Sequence, residues 1–259
     1  MAYTLVTGAC GVLGGKFCEL LAETDDLFLT GRSEERLLKL KEKIVSLGFS
    51  GDVLTFAADL NSEEDRAALF SFADENGVKF GGVINVAGAD IRKEFVKYTP
   101  EKVVFQTRIN FEAAVAVTHG AILRRAEKIK ILAVSSMCAV MPMPYFALYS
   151  ATKAALINFF TALRYEIKDA KITVLIAGSI PTRADVREDI KSQGITGRLS
   201  AKPPEYVAAK ALKALNKGKR KIIVGFYNKF NYYFQKILPT AIKCGVMGNR
   251  WKKRPKDGF

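Results

Sequence analysis

Residues 3–14 read YTLVTGACGVLG, a short apolar run that leads directly into a turn containing Gly8, Gly11 and Gly14. Apolar residues at helical spacing follow the turn. Glycine permits a tight strand-to-helix turn and close approach of the backbone to a pyrophosphate, while the N-terminus of the following helix attracts anions. The stretch therefore predicts a dinucleotide-binding turn at the start of an α/β fold, the alternative being a glycine turn without a ligand.

Short apolar runs alternate with helical periodicity along the rest of the chain, which favours a parallel sheet covered by helices on both faces. Seven strands are predicted at Tyr3–Thr7, Leu27–Thr30, Val53–Ala57, Gly81–Val86, Lys130–Ser135, Lys171–Ala177 and Lys221–Val224. The longer predicted helices are Val12–Glu23, Glu34–Leu47, Ser62–Glu75, Pro100–Ala126, Tyr149–Lys168 and Pro204–Lys217. No internal repeat or linker interrupts them, so residues 1–225 are interpreted as one catalytic domain and residues 226–259 as a C-terminal tail.

The composition of the chain fits a globular enzyme without a metal. Its 259 residues are 49% hydrophobic, enough to build a sizeable core. The four cysteines lack ligand-like spacing, which favours reduced thiols, and an apolar strand beginning at Tyr3 leaves no room for a signal peptide. A cytoplasmic location is expected. His119 is the single histidine, so the chain lacks the residues for a cluster of histidine metal ligands and for Ser-His-Asp hydrolysis.

Tyr149 and Lys153 lie four residues apart, on one face of a predicted helix. A neighbouring ammonium favours the phenolate over the phenol, so it should lower the tyrosine pKa and make the side chain usable as an acid and base. This spacing is common by chance, but Ser136 closes an apolar run thirteen residues earlier and Asn110 lies further upstream. A parallel sheet would bring these four polar groups together.

The order and spacing of these residues resemble the short-chain dehydrogenase/reductase family, in its single-domain branch with a Ser-Tyr-Lys active site. The resemblance covers nearly the whole chain and implies a Rossmann-like, doubly wound sheet and an NAD(P)-dependent oxidoreductase that acts on CH–OH or C=O groups. The matching pieces are Thr7–Gly14, Asp59-Leu60, Asn85-Val86-Ala87-Gly88, Asn110, Ser136, Tyr149 with Lys153, Ala177-Gly178 and Thr182.

The resemblance also implies a role for each catalytic residue. Ser136 would hydrogen-bond the substrate oxygen, with Ser135 as a rival that the spacing disfavours. Tyr149 would exchange a proton with that oxygen, and Lys153 would lower the pKa of Tyr149 and hold the nicotinamide ribose. Asn110 would open its helix slightly and order a water that links Lys153 to bulk solvent.

The residues that the resemblance assigns to the cofactor come from six parts of the chain. The chain departs from the family pattern where Val12 replaces a usual glycine and where Ala177 replaces the proline before Gly178. The full set is Gly8, Cys10, Gly11, Val12, Leu13, Gly14, Arg32, Ser33, Asp59, Leu60, Asn85, Ala87, Gly88, Tyr149, Lys153, Gly178 and Thr182.

The residues after the second predicted strand favour NADP(H) over NAD(H). An acidic side chain at this place would bind the ribose 2′-hydroxyl of NAD, whereas arginine accepts the 2′-phosphate of NADP. The chain reads Thr30-Gly31-Arg32-Ser33, without a carboxylate. NAD(H) is the alternative, with Arg32 a solvated charge and Ser33 a helix cap.

Two segments bear on the substrate. Residues 183–202 are polar and contain two glycines, as expected of a mobile lid, and residues 137–148 are almost wholly apolar. A hydrophobic ketone or aldehyde and its alcohol are therefore the expected substrate pair. The alternative from another functional class is a non-catalytic NADP(H)-binding sensor or scaffold. The resemblance further implies a homodimer or homotetramer built through the helices Pro100–Ala126 and Tyr149–Lys168.

Positive charge concentrates toward the C-terminus. From Lys217 onward the chain has twelve Lys and Arg residues and one acid, a net +11 of the total +14. Pro239 should break the helix of the tail. The tail carries an apolar stripe, and there are two alternatives for its role. In one, the stripe packs on the lid or on a second subunit. In the other, the tail lies peripherally on an anionic membrane, with residues 250–254 attracted to the lipid headgroups. No nucleic-acid recognition motif is present. The stripe comprises Phe226, Phe230, Tyr233, Phe234, Ile237, Leu238, Ala241 and Ile242.

Overall fold

The computed structural model describes residues 2–257, in which seven parallel strands form one sheet of order β3-β2-β1-β4-β5-β6-β7. Met1 and the last two residues of the predicted tail, Gly258 and Phe259, lie outside the described residues. The predicted seven-stranded, doubly wound sheet is confirmed. Its strands are β1 Tyr3–Thr7, β2 Asp26–Gly31, β3 Val53–Ala57, β4 Phe80–Asn85, β5 Arg125–Ser136, β6 Ala170–Ala177 and β7 Lys221–Ile223.

Helices cover both faces of the sheet. They are α1 Val12–Leu21, α2 Glu34–Ser46, α3 Glu63–Glu75, α4 Pro100–Thr107, α5 Ala113–Leu123, α6 Ala147–Glu166, α7 Ala184–Ser192, α8 Gly194–Ser200, α9 Pro204–Asn216, α10 Phe226–Ile237 and α11 Thr240–Lys252. A π-helical turn, Arg108–Glu112, joins α4 to α5. The predicted helix ending at Ala126 ends instead at Leu123, because β5 begins at Arg125. Two helices, α7 and α8, occupy the predicted lid.

In each central strand, alternate residues belong to two separate hydrophobic cores, one on each face of the sheet. Leu5, Phe28 and Ile131 belong to the core under α3, α5 and α6. Their strand neighbours Val6 and Leu29 belong to the core under α1, α2 and α9. Burial on both faces explains why these strands are continuous apolar runs rather than alternating ones.

The topology creates a crevice at one edge of the sheet. β1 pairs with both β2 and β4, so the order of strands reverses between β1 and β4. In doubly wound sheets, ligands bind outside the carboxyl ends of the strands at this switch point. Thr7, Ser136 and Ala177 end three of the central strands at this edge.

The C-terminal tail forms two helices and returns to the same edge. Pro239 lies between α10 and α11, which confirms the predicted break. Beyond α11, the backbone of Lys256 exchanges hydrogen bonds of 2.6 and 2.7 Å with Arg92. The tail therefore reaches the loop that follows β4. Within the part of the chain that the structure describes, no helix has the length and apolar character to cross a membrane.

Candidate active site

A cavity of about 810 Å³ lies at the carboxyl edge of the sheet. Its wall combines the glycine turn, the ends of β2, β4, β5 and β6, the lid helix α7 and the tail. The predicted site residues that line it are Gly8, Cys10, Gly11, Val12, Leu13, Gly14, Arg32, Ser33, Leu60, Ala87, Gly88, Ser136, Tyr149, Lys153, Gly178 and Thr182.

The glycine turn has the shape needed to hold a pyrophosphate. Gly8 has a φ of +62°, a conformation that favours glycine. A Cβ on Gly14 would lie 2.2 Å from the carbonyl oxygen of Gly8, so this position also requires glycine. Val12 is 45% exposed at the start of α1, where nothing demands glycine. The Val12 departure is therefore compatible with the turn.

Two arginines, Arg32 and Arg36, stand at the end of β2. Both are exposed and line the cavity together with Ser33. The Ser33 hydroxyl accepts from the Arg36 backbone N–H at 3.3 Å and so caps α2. The Arg36 Nη2 donates to the Cys10 carbonyl oxygen at 2.7 Å, which ties α2 to the glycine turn. Arg36 was not among the predicted cofactor residues. Its position four residues after Arg32, in the first turn of a predicted helix, is the sequence feature that could have indicated it.

Two predicted cofactor residues, Asp59 and Asn85, do not line the cavity. The Asp59 carboxylate accepts hydrogen bonds from the backbone and side chain of Asn61, at 3.1 and 2.9 Å. It stabilises its own turn, while Leu60 and Asn61 form the wall. Asn85 is buried at the end of β4 and donates to the Thr118 hydroxyl at 2.9 Å. The assignment of Asp59 and Asn85 to the cofactor stays a prediction, and both side chains have partners within the fold.

Ser136 and Tyr149 lie together in the cavity. Ser136 ends β5, Tyr149 lies in the first turn of α6, and both residues line the cavity. Desolvation raises the pKa of the Tyr149 phenol, and the Ser136 hydroxyl has a smaller, lowering effect on it. Ser136 also accepts from the Cys138 backbone N–H at 3.1 Å. Its rival, Ser135, is buried and donates to the Lys153 carbonyl oxygen at 2.7 Å. The geometry thus favours Ser136 over Ser135 as the group that faces a substrate.

Lys153 lies behind Tyr149, but it does not lower the pKa of the phenol. Its Nζ donates to the Val134 carbonyl oxygen at 3.0 Å and lies 5.9 Å from the centre of the Tyr149 ring. Burial lowers the pKa of Lys153 to about 8, against a smaller opposing effect of Asp90. Burial raises the pKa of Tyr149 well above its usual range. The expected lowering is therefore corrected: desolvation dominates, and Tyr149 keeps its proton at neutral pH.

Asn110 is fully buried in the π-helical turn between α4 and α5. Its Nδ2 donates to the Ala89 carbonyl oxygen at 2.8 Å, and its Oδ1 accepts from the Ala89 N–H at 2.7 Å. A Cβ on Gly88 would lie 2.9 Å from the Asn110 Oδ1 and 3.2 Å from the Lys153 Nζ. Asn110 therefore stands next to Lys153, outside the cavity wall, in a helix that is locally widened.

Asn228 of the tail packs closely against the turn after β6. It was not among the predicted site residues. The buried Asn228 side chain donates to the carbonyl oxygens of Ser200 and Val224, at 2.9 and 2.8 Å. A Cβ on Gly178 would lie 2.4 Å from the Asn228 Nδ2, so the close approach requires glycine. Thr182 donates its N–H to the Ile180 carbonyl oxygen at 2.7 Å, which closes the turn without the missing proline.

The end of the tail approaches Tyr149 through a series of rings. Phe146 stacks on Tyr149, with centroids 4.4 Å apart, and the Trp251 ring lies 6.0 Å from Phe146. The Arg92 guanidinium lies 4.5 Å from the Trp251 ring centre and 5.8 Å from that of Phe146. The distal part of the tail therefore packs near the lid, whereas most of the predicted apolar stripe is exposed.

Ion pairs join the tail and the loop after β4 to the lid. Arg92 binds Asp189 of α7 at 2.9 Å. Lys256 binds Asp185 of α7 at 2.9 Å and Asp90 at 2.7 Å. The lid is thus attached to the tail in this conformation, and sequence reasoning missed this because the contacts span more than 60 residues.

Comparisons with known proteins point to one family. The family model described as short chain dehydrogenase matches residues 2–194. The 11-beta-hydroxysteroid dehydrogenase-like 2 protein of Arabidopsis thaliana is 31% identical over 248 residues, covering 92% of this chain and 78% of the relative. A solved 7beta-hydroxysteroid dehydrogenase superposes with a TM-score of 0.84 at 22% identity, covering 95% of this chain and 96% of the other. The L-sorbose reductase of Gluconobacter frateurii, solved with NADPH and L-sorbose, superposes with a TM-score of 0.76 at 22% identity, covering 86% and 95%.

Proposed function

The chain belongs to the short-chain dehydrogenase family, and we propose that it is an NADP(H)-dependent oxidoreductase that interconverts a hydrophobic ketone or aldehyde and its alcohol. The family binds NAD(P)(H) and acts on CH–OH groups; the cofactor preference and the substrate class are the proposal. The observation that carries it is the placement of Ser136 and Tyr149 in the wall of one cavity, with the buried Lys153 behind them.

The cavity residues fit NADP(H) along its length. The glycine turn and the N-terminus of α1 would hold the pyrophosphate. Arg32, Ser33 and Arg36 would hold the 2′-phosphate, because guanidinium groups form charge-assisted hydrogen bonds with phosphate. Lys153 would hold the nicotinamide ribose and Thr182 the carboxamide. When bound, the cofactor supplies or accepts the hydride.

The protein residues position the substrate and handle the proton. In reduction, Ser136 donates a hydrogen bond to the carbonyl oxygen, and Tyr149, which keeps its proton at neutral pH, transfers that proton to the same oxygen. Lys153 lies behind Tyr149, where its ammonium can return a proton to the phenolate, and Asn110 beside it would order a water that links Lys153 to bulk solvent. In oxidation, Tyr149 would take the proton of the alcohol.

The wall beside Tyr149 supports a hydrophobic substrate. Met141, Met143 and Phe146 form a buried cluster against which Met247 of the tail packs. All four line the cavity. A relative named as a hydroxysteroid dehydrogenase-like protein is consistent with this class of substrate. Fused-ring or long-chain carbonyl compounds are therefore the first choice for an assay.

An assay of NADPH consumption tests this function against the sensor alternative. The purified protein would receive NADPH with a steroid ketone, a long-chain oxo ester or an aromatic ketone. Turnover of at least one compound is expected, with Tyr149→Phe as the inactive control. Tight NADPH binding without turnover of any of the three would instead support a non-catalytic sensor or scaffold.

We also propose a peripheral contact between the C-terminal tail, residues 226–259, and an anionic membrane. Phe226, Phe230 and Ile237 of α10 are 86%, 59% and 78% exposed. Exposed aromatic and aliphatic side chains on a basic segment suit an interfacial helix. The protein would otherwise remain in the cytoplasm, where its free cysteines stay reduced.

Flotation with phosphatidylserine vesicles tests the membrane contact. A triple serine substitution at Phe226, Phe230 and Ile237 should abolish salt-sensitive flotation. Val96→Ser, which removes an 87% exposed apolar side chain outside the tail, is the matched control. Equal flotation of the triple variant and the control would overturn this proposal.

The oligomer is proposed to be a homodimer or homotetramer built through α4, α5 and α6. Val104 of α4 and Tyr165 of α6 are 47% and 70% exposed, so each offers apolar surface to a second copy. Light scattering should give twice or four times the chain mass. A monomer at micromolar concentration would contradict this assembly.

A further inference from the structure

The wall that the C-terminal tail contributes to the cavity is mainly polar. Asn231, Gln235, Met247, Arg250 and Trp251 line the cavity from α10 and α11. Four of them are polar, whereas the neighbouring cluster of Met141, Met143 and Phe146 is apolar. Asn231 and Gln235 hydrogen-bond each other at 3.0 Å, and the reaction assigned above does not use Arg250 or the Trp251 indole, so these two groups call for a separate explanation.

Arg250 is a partly buried cation without an anionic partner. Within residues 2–257, no carboxylate forms an ion pair with it, and it lies 5.2 Å from the Trp251 ring centre. Asp189 is close enough to favour its charge but is paired with Arg92 at 2.9 Å. Desolvation and the neighbouring Arg254 lower the pKa of Arg250. Because Asp189 is already paired, no ion pair among residues 2–257 neutralises the charge of Arg250 at the cavity wall.

Trp251 adds an unused donor at the same place. The residue is 8% exposed, and its indole N–H is buried with no hydrogen-bond partner among the described residues. Buried polar groups in proteins are nearly always hydrogen-bonded, so the unpartnered indole N–H of a residue that lines the cavity is a candidate donor to a ligand that packs against it. A guanidinium and an indole N–H together offer donors to an anion.

We propose that Arg250 and Trp251 form a carboxylate-binding site within the substrate cavity, and that the substrate is an apolar ketone or alcohol bearing a carboxylate. This inference rests on the proposed function and deepens it. The planar fork of Arg250 matches the two oxygens of a carboxylate, and a desolvated charge-assisted pair is stronger than a neutral one.

The position of this site relative to Tyr149 sets the shape of the substrate. Trp251 is separated from Tyr149 by the ring of Phe146, with centroid distances of 6.0 and 4.4 Å. The methionine cluster fills the space around these rings. The carboxylate must therefore be separated from the reacting carbonyl by an apolar body of several carbon atoms, either fused rings or an alkyl chain.

The chain carries its own reporter for the test, because Trp251 is its only tryptophan. The complex with NADP⁺ would be titrated with dehydrocholate and with 10-oxooctadecanoate, each compared with its methyl ester, while Trp251 fluorescence is recorded. At least tenfold tighter binding of one acid than of its ester is expected. Equal affinity of acid and ester for both pairs would overturn the inference.

Variants separate a specific contact from general charge. Arg250→Met should remove the preference for the acid at unchanged ester affinity, and Arg250→Lys should retain part of it. Lys252→Met removes the same charge from an exposed position of α11 and should leave the preference intact. Equal losses in Arg250→Met and Lys252→Met would overturn the inference.

Failure of the carboxylate site and failure of the enzyme function give different results. If an acid binds through Arg250 but no ketone is reduced, the carboxylate site stands and the enzyme function fails. If neutral ketones are reduced as well as their acids, by wild type and Arg250→Met alike, the enzyme function stands and the carboxylate site fails.

Discussion

The ring of Phe146 lies parallel to the ring of Tyr149, with centroids 4.4 Å apart and an interplanar angle of 9°. Phe146 precedes the first residue of α6 and is 5% exposed. It is held from the other side by Arg92 and Trp251. The tail therefore packs against the ring that stacks on Tyr149, about 100 residues away in the sequence.

Replacing Trp251 should reduce turnover without reducing cofactor affinity. Trp251→Ala leaves Phe146 without its support, so kcat for ketone reduction should fall by about ten- to a hundredfold. Trp251→Phe keeps a ring there and should retain most activity. The affinity for NADPH, measured by quenching of NADPH fluorescence, should remain within a factor of two. Normal kcat in Trp251→Ala would show that the tail does not position Tyr149.

The two arginines after β2 predict a selective loss of NADPH affinity. Arg32→Ala and Arg36→Ala should each weaken NADPH by roughly ten- to a hundredfold, because charge-assisted hydrogen bonds contribute about 1.5–3 kcal/mol. NADH lacks the 2′-phosphate and should lose much less. Titration at fixed salt gives the ratio, and equal losses for both cofactors would contradict the assignment.

The lowered pKa of Lys153 predicts a pH dependence of cofactor binding. With a pKa of about 8, Lys153 is protonated below pH 8 and becomes neutral above it. Its hydrogen bonds to the ribose should weaken as the charge is lost, so the affinity for NADPH should fall between pH 7 and 9. Lys153→Met should show weak affinity throughout this range. A wild-type affinity that is constant up to pH 10 would be inconsistent with the buried, perturbed lysine.

Asn110 should contribute to stability as well as to the site. Asn110→Leu leaves the buried N–H of Ala89 without its partner and the Ala89 carbonyl with only the Gln106 amide at 3.3 Å, which should lower the free energy of unfolding by about 1–3 kcal/mol. Asn76→Ala removes an exposed amide at the end of α3 and should cost much less. Urea denaturation measures both. A smaller loss for Asn110→Leu than for Asn76→Ala would show that the pairing with Ala89 is energetically unimportant.

Local patterns in the sequence were sufficient to predict the sheet and most of the cavity. Strands buried on both faces leave continuous apolar runs, and the glycine turn and the Tyr149–Lys153 spacing are short-range features. β5 starts earlier than predicted because Arg125, Glu127 and Lys128 are polar and exposed, so no apolar pattern marks its beginning.

Features that depend on tertiary placement could not be predicted in the same way. The hydrogen bond between Asn85 and Thr118 joins residues 33 apart in the sequence, so no short-range pattern indicates it. The raised pKa of Tyr149 follows from burial, which the neighbouring Lys153 does not reveal. The contact of Trp251 with Phe146 required the path of the tail. Sequence spacing identifies which groups meet at strand ends, whereas desolvation and long-range packing decide how they behave.

Turnover of Tyr149→Phe measured beside its NADPH affinity tests the central claim most directly. The substitution removes the phenolic oxygen from the cavity that Ser136 also lines and keeps the ring that stacks on Phe146. NADPH should bind Tyr149→Phe as tightly as wild type, while ketone reduction should fall by about 10²–10⁴-fold, the usual contribution of general acid/base catalysis. Near-normal ketone reduction by Tyr149→Phe would contradict the assignment of Tyr149 as the proton donor.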